Sequence, residues 1–299
     1  MSAVDPHGLQ PSLAIGEPST SRRSRRVRTL RGALQNRISI VGIVLLSLIF
    51  AAVAVGPFIW TLDPAAQSLD DALATTSSAH PLGTDTNGRD VLARLLAGGR
   101  LSLAIAIGSV VVATLVGGLI GLVSGFVLGV ADAVLMRVMD VVLAFPPLLL
   151  ALAIVAAAGP GPVNTAIAVA VPAVPVFARL TRSKVISIRE RDYVLAARAS
   201  GVRPWRIMTT HVLGNSVSPV IVSMALSVGL ALLEVAGLGF LGLGVQPPDA
   251  EWGAMLSDAR TYLLTNPVVL IAPGIAIALT AVAINLVGDA LRDAIDPAG

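Results

Sequence analysis

Side chains that could ionise, attack or coordinate are few in this chain, and their spacing excludes more chemistry than it suggests. There is no cysteine, which removes disulfides, thiolate nucleophiles and thiolate metal sites. Three histidines occur, His7, His80 and His211. None lies in a long apolar run, and no His-Glu-x-x-His appears, so neither a Ser–His intramembrane hydrolase nor a zinc protease is expected. His80, Asp85 and Asp90 share a stretch rich in Pro, Gly and Asn, His80-Pro-Leu-Gly-Thr-Asp-Thr-Asn-Gly-Arg-Asp90. No recognised ligand spacing joins them, so the expectation is an ordered loop of turns. Lys184 follows Ser183, but no glycine occupies the preceding phosphate-loop positions. The chain therefore cannot supply its own ATP site. Glu234 is the one carboxylate well inside an apolar segment, with Gly237 a turn beyond. An ionised group there is costly, so it must face protein, water or a partner. A structural hydrogen bond and a place on a translocation path or gate are both open.

The most informative polar stretch runs from Arg189 to Leu213. Arg189–Ser200 reads as a helix with Tyr193, Ala196, Ala197 and Ser200 on one small-residue face. Gly201 can close that helix in the left-handed conformation. Pro204 then suits the first turn of a second helix, Trp205–Leu213. The prediction is a helix–elbow–helix that docks a partner, since a solvated loop would not need an Ala-lined face between two stops.

The elements that must hold these groups are membrane spans. Of 299 residues 55% are hydrophobic and 13% charged, where a soluble domain carries about 25% charged residues. Six apolar segments follow one another: Ile38–Phe58, Leu101–Leu128, Ala133–Ala157, Val163–Leu180, Pro219–Gly244 and Pro267–Asp289. Pro146 and Pro147 should kink the third, and Pro172 and Pro175 interrupt the fourth. Residues 1–37 are predicted to be a disordered basic tail whose arginines can rest on anionic lipid. A signal peptide is the competing reading, but the apolar run after the arginines is long enough to span. With both termini cytoplasmic, 17 of the 21 Lys and Arg lie on the inner side, as the positive-inside rule requires. Gly117, Gly121 and Gly125 recur every fourth residue, a groove for helix packing within the chain, a subunit contact or a pore lining. In the second outer loop, 245–266, Trp252, Met255, Leu256, Ala259 and Leu263 share a helical face, which predicts a short helix at the membrane surface.

Asp192-Tyr-Val-Leu-Ala-Ala-Arg-Ala-Ser-Gly201 resembles the EAA loop of ABC importer permeases. That family's pattern is Glu-Ala-Ala, three residues, Gly, nine residues, Ile, one residue, Leu-Pro. Ala196, Ala197, Gly201 and Leu213 match at that spacing, while Leu195, His211 and Gly214 replace the Glu, Ile and Pro. The stretches His80–Asp90, Met136-Arg-Val-Met-Asp140 with Phe145-Pro146, and Gly239-Phe-Leu-Gly-Leu-Gly244 resemble the dipeptide/oligopeptide permeases, specifically the C-type subunit of the pair.

The resemblance implies an all-α polytopic membrane protein with six transmembrane helices and the type I ABC importer permease fold. Its parts would be the tail 1–37, a first helix and periplasmic loop over 38–100, and a permease core over 101–299 with a cytoplasmic coupling loop at 181–214. The coupling residues would be Tyr193, Ala196, Ala197, Arg198, Gly201, Pro204 and Leu213. The implied function is import of di- or oligopeptides across the cytoplasmic membrane, with nickel or haem as alternative cargo. The implied partners are a homologous second permease subunit in a heterodimer, two cytoplasmic ATPase domains carrying ATP-Mg, an extracytoplasmic substrate-binding protein and the lipid bilayer. No nucleic-acid partner and no cofactor bound by this chain are expected. An ion-coupled secondary transporter is the rival of a different class. It would normally show midplane acids or unwound segments in two related halves, and only Glu234 appears.

Overall fold

The computed structural model describes residues 37–295, and the regular elements among them are all helical. The predicted basic tail lies outside the described residues except for Arg37. In chain order the helices are α1 (Arg37–Ile59), α2 (Val91–Val127), α3 (Gly129–Leu143), α4 (Pro147–Ala158), α5 (Pro162–Arg189), α6 (Asp192–Ala199), α7 (Pro204–Arg206), α8 (Gly214–Phe240), α9 (Trp252–Ala259) and α10 (Pro267–Ile295). A π-helical stretch, Ile207–Leu213, joins α7 to α8. Five helical stretches, α7 through α8 counting as one, are long and apolar enough to cross a bilayer. The pair α3 and α4 makes a sixth span if the two are taken together across their 89° bend.

That bend is larger than the kink expected from sequence. Pro146 and Pro147 both lack an N–H, and a residue before proline is pushed out of the helical region. The helix therefore stops at Leu143 and restarts with Pro147 in its first turn. In α5 the outcome is the reverse. Pro172 and Pro175 sit inside a continuous helix, which also runs past the expected end at Leu180 to Arg189. Hydropathy loses the helix there because its last turns are charged. Arg182 forms a bidentate pair with Asp132 of α3, both N–O distances 2.6 Å, and Arg179 reaches Asp140 at 2.5 Å. At the other face α2 begins well before its apolar run, because the Asp90 side chain accepts from Ala93 N at 2.7 Å and caps the helix.

The glycine groove packs α2 on α5. A Cβ at Gly117 would lie 2.9 Å from Phe177 Cβ, and one at Gly121 2.8 Å from Thr181 Cβ. Close packing within the chain is thus the reason for these glycines. Around this pair the core gathers Ala106, Val110, Val169, Phe177, Leu232 and Leu238, with α1 packed across α10 and α2. Many large apolar side chains point outward, among them Leu115, Leu119, Val130 and Val163. Such surface suits lipid or another apolar subunit.

Candidate functional site

The elbow forms close to where the sequence places it, with its first helix starting at Asp192 instead of Arg189, which ends α5. Residues Asp192–Ala199 are helical, and Gly201 has φ +74°, the left-handed conformation expected of a closing glycine. Ser200 N donates to Ala196 O at 2.9 Å, Gly201 N to Arg198 O at 3.0 Å and Val202 N to Ala197 O at 3.1 Å. These bonds satisfy carbonyls that the helix end would leave free. Pro204 opens the next helix as predicted. The second arm is not a separate helix, however. It runs through the π-helical stretch at Ile207–Leu213 into α8, so that Pro204–Phe240 passes as one span. The elbow is thereby joined to a membrane helix without an intervening loop.

A small core holds the elbow to the membrane portion: Val185, Ile188, Val194, Ile207 and Val212, with Leu122 of α2. Val194 is fully buried, whereas Ala196, Arg198, Ser200 and Gly201 are exposed and Ala197 is half-buried. Tyr193 is exposed and its ring lies 6.3 Å from that of His211. Leu213 is also exposed, at the start of α8. The predicted coupling residues are thus gathered on one projection at one end of the bundle, with Tyr193 and Leu213 exposed beside the small side chains and Val194 turned inward.

Glu234 and Gly237 lie far from the elbow along α8. Glu234 is half-buried and lines a cavity of about 220 Å³ with Ser109 and Val110 of α2, Pro147 of α4, Pro172 and Phe177 of α5, and Ser227. Its carboxylate has no hydrogen-bond partner among the described residues, so a structural hydrogen bond within this chain does not account for it. A Cβ at Gly237 would meet only Leu148 Cδ1, at 3.9 Å, so that glycine is loosely packed.

The outer loops form a cap in which the would-be metal ligands do other work. Asp90 accepts from Trp60 Nε1 at 2.9 Å and from His80 Nδ1 at 2.8 Å while capping α2. Asp85 pairs with Arg89 Nε at 2.6 Å and Arg94 Nε at 3.3 Å. Both arginines are 2% exposed. Arg89 Nη2 also reaches Asp258 of α9 at 3.4 Å, which ties the first outer loop to the second. The helix expected in that second loop is present as α9, but its apolar face packs on α8 and α10 rather than facing headgroups. Trp252 is 2% exposed, with Nε1 donating to Leu95 O at 2.8 Å. Beneath it Glu251 accepts from Ser102 Oγ and Gly253 N, both at 2.9 Å, and from Ala254 N at 2.8 Å. Burial pushes its carboxyl above the ordinary range, and the three donors pull against that shift.

Sequence reasoning missed three of these groups. Arg89 and Arg94 counted only as outer charges, although a basic pair beside two aspartates in a turn-rich loop is a signal for a network. Asp132, an acid at the start of an apolar run, announces a helix N-terminus, but its partner is 50 residues away. Glu251 lies in the loop before α9 and carries no signal of its cap, because Glu is not a favoured N-cap.

An all-helical set of apolar spans, with a helical elbow on one side and a buried polar cap on the other, defines a membrane-embedded subunit that works with partners. Residues 117–298 match the family of binding-protein-dependent transport system inner membrane components, and the chain belongs to that family. It has the type I importer permease fold. It is 46% identical to the di/tripeptide transport system permease protein DppC of Pseudomonas aeruginosa, over 88% of each chain. It is 47% identical to the glutathione transport system permease protein GsiD of Pectobacterium atrosepticum, over 74% of this chain and 73% of the relative. The nickel transport system permease protein NikC of Escherichia coli is 41% identical over 79% of this chain and 85% of its own length.

Proposed function

We propose that the chain is one of two homologous permease subunits of an ABC importer, and that its cargo is a di- or oligopeptide. The observation that carries the cargo is the similarity to a di/tripeptide permease across nearly the whole chain. Both termini are cytoplasmic in this reading, and the cap faces the extracytoplasmic binding protein. Tyr193, Ala196, Ala197, Arg198, Gly201, Pro204 and Leu213 form the surface on which an ATPase domain docks. ATP-Mg stays on the two ATPase domains, and this chain holds no cofactor and catalyses no reaction. Closure of the ATPase pair pushes the elbow, and because its second arm runs on into α8 the movement reaches the Glu234 cavity along one helix, through the π-helical stretch and Pro219. Glu234 and Gly237 lie on the path, where a loosely packed glycine and an unpartnered carboxylate leave room for a moving solute. The similarity to a nickel permease favours nickel as the second cargo reading.

The test is reconstitution of the chain with its partner permease, ATPases and binding protein in liposomes. ATP-dependent dipeptide uptake is expected, with no ATP hydrolysis by this chain alone. Uptake of nickel but not peptide would replace the cargo, and uptake that needs an ion gradient instead of ATP would overturn the reading. In the same system Glu234→Leu should leave thermal stability near wild type, since no partner within the chain loses a bond. It should lower uptake severalfold, with Glu234→Gln between the two. Unchanged uptake by Glu234→Leu would take the residue off the path.

A further inference from the structure

A second and larger cavity, about 620 Å³, opens at the cytoplasmic ends of α5, α8 and α10. Three cations line it: Lys184, the chain's only lysine, with Arg191 and Arg292. Ser187, Asn215 and Ser223 add hydrogen-bonding groups, and no carboxylate lines it. None of the three cations has an ion pair or side-chain hydrogen bond among the described residues, although Arg179 and Arg182 on the same helix are both paired. All three are exposed, so water screens their mutual repulsion, and together they still give the cavity a positive potential that draws an anion entering it.

The position of the cavity says which anion. Its lining on α5 (Leu180, Lys184, Ser187) continues the face that carries Pro172, Ala173 and Val176 in the Glu234 cavity. Its lining on α8 (Asn215, Pro219, Ser223) continues the face of Ser227, Leu230 and Glu234. The two cavities therefore lie end to end along one pair of helix faces, with a carboxylate at one end and cations at the other. Eleven residues separate Ser223 from Glu234 on α8, roughly 16 Å along the helix. A dipeptide, at most about 7 Å long, cannot reach both ends together and must meet them in turn. The lining mixes apolar side chains, Leu180, Pro219, Val222 and Leu230 among them, with Lys184, Asn215, Ser223 and Glu234, a pattern that suits a small solute carrying an ammonium and a carboxylate on an apolar body.

We propose that the inner cavity is an anion station that takes the carboxylate of the outgoing peptide on Lys184, Arg191 and Arg292. The station rests on the peptide-import reading for its ligand. Because the chain has no cysteine, Ser187→Cys places a single thiol of this chain in the cavity. In the assembled complex in phosphatidylcholine nanodiscs, a sulfonate-bearing thiosulfonate should label that thiol faster than a trimethylammonium one. Lys184→Gln with Arg292→Gln should lower this ratio about tenfold, the effect of two nearby charges. Dialanine should slow labelling, and dialanine amide should not. Equal protection by the two peptides, or a ratio unmoved by the double variant, would overturn the station. Loss of labelling on adding phosphatidylglycerol, without peptide, would assign the cavity to a lipid phosphate and overturn it as well. Should the double variant fail to assemble, the comparison of peptide with amide still decides. Absent ATP-driven dialanine uptake by the same complex would sink the import reading itself. Intact uptake with unselective labelling would sink the station alone.

Discussion

At the outer face Arg89, Arg94 and Glu251 are almost wholly buried, and each is held by named partners. At the inner face Ala196, Arg198, Ser200 and Gly201 stand in solvent, above a small core that only secures their backbone. The cap spends its polar groups internally, locking two loops and the start of α2 together. The elbow leaves its surface free. Under the proposed reading, in which an ATPase moves the spans through the elbow, this asymmetry supplies a fixed end against which helices can turn and an end whose contacts are left for a partner.

If the cap is the fixed end, breaking it should do the most damage. Asp85 faces both buried arginines and also accepts from Asn87 N at 2.8 Å and Arg89 N at 3.0 Å. Asp85→Ala leaves two buried cations without their main counter-charge, at a cost of about 3–5 kcal/mol. The expected outcome is a large drop in folded yield and thermal stability of the purified complex. Asp85→Asn, which keeps an acceptor, should fall between. A wild-type melting temperature in Asp85→Ala would mean that the cap is not what holds the outer loops.

The elbow predicts the opposite pattern, a small effect on stability and a large one on assembly. Nothing lies within 4 Å of a Cβ built at Gly201, so only its backbone conformation resists substitution. Gly201→Val should strain that conformation by about 1–2 kcal/mol and redirect the helix after it. Gly201→Asn tolerates a positive φ and should be near neutral. Ala197→Trp adds bulk to the docking face without touching the φ of Gly201, and because Ala197 also packs on the elbow's small core the variant's melting temperature is measured beside its docking. Co-purification of the ATPase should fall severalfold with Gly201→Val and Ala197→Trp and persist with Gly201→Asn. Full recovery with all three would mean that the ATPase docks elsewhere.

The two regions also differ in how much of them the sequence disclosed. The elbow was legible because its determinants are local: an Ala pair, a glycine and a proline at spacings that one helix and its stop define. The cap was not, because its determinants cross the chain. Asp258 lies 169 residues from Arg89, and Ser102 lies 149 from Glu251. Periodicity marked α9, but could not say that its apolar face meets α8 and α10 instead of lipid. The span count was legible from hydropathy. The 89° break at Pro146 was only half so, since two prolines predict a disturbance and tertiary packing sets its size. The charged end of α5 stayed hidden for the same reason as the cap, its pairing with Asp132 and Asp140 on another helix.

The smallest effect should come from Glu251, which refines the account of the cap. The carboxyl is 1% exposed, and burial raises its pKa above the ordinary 4.5 despite three donors. The folded chain therefore keeps this proton at pH values where the unfolded chain has lost it. Stability linked to Glu251 is then fully present below about pH 4.5 and falls as the pH rises toward the raised native value, where it levels off. Glu251→Gln cannot titrate, so this component of the pH dependence should vanish. The amide oxygen can still accept from Gly253 N or Ala254 N, but its NH2 then meets the other backbone N–H, with the Ser102 hydroxyl as the acceptor in reach, so the variant loses a bond at a cost of about 1–3 kcal/mol. The variant should therefore melt lower than wild type at pH 4, and the gap should narrow as the pH rises. Melting curves of both complexes between pH 4 and 8 measure this directly. Parallel curves would show that Glu251 does not change its protonation on unfolding, and a gap that widens as the pH rises would show that the cap holds it ionised.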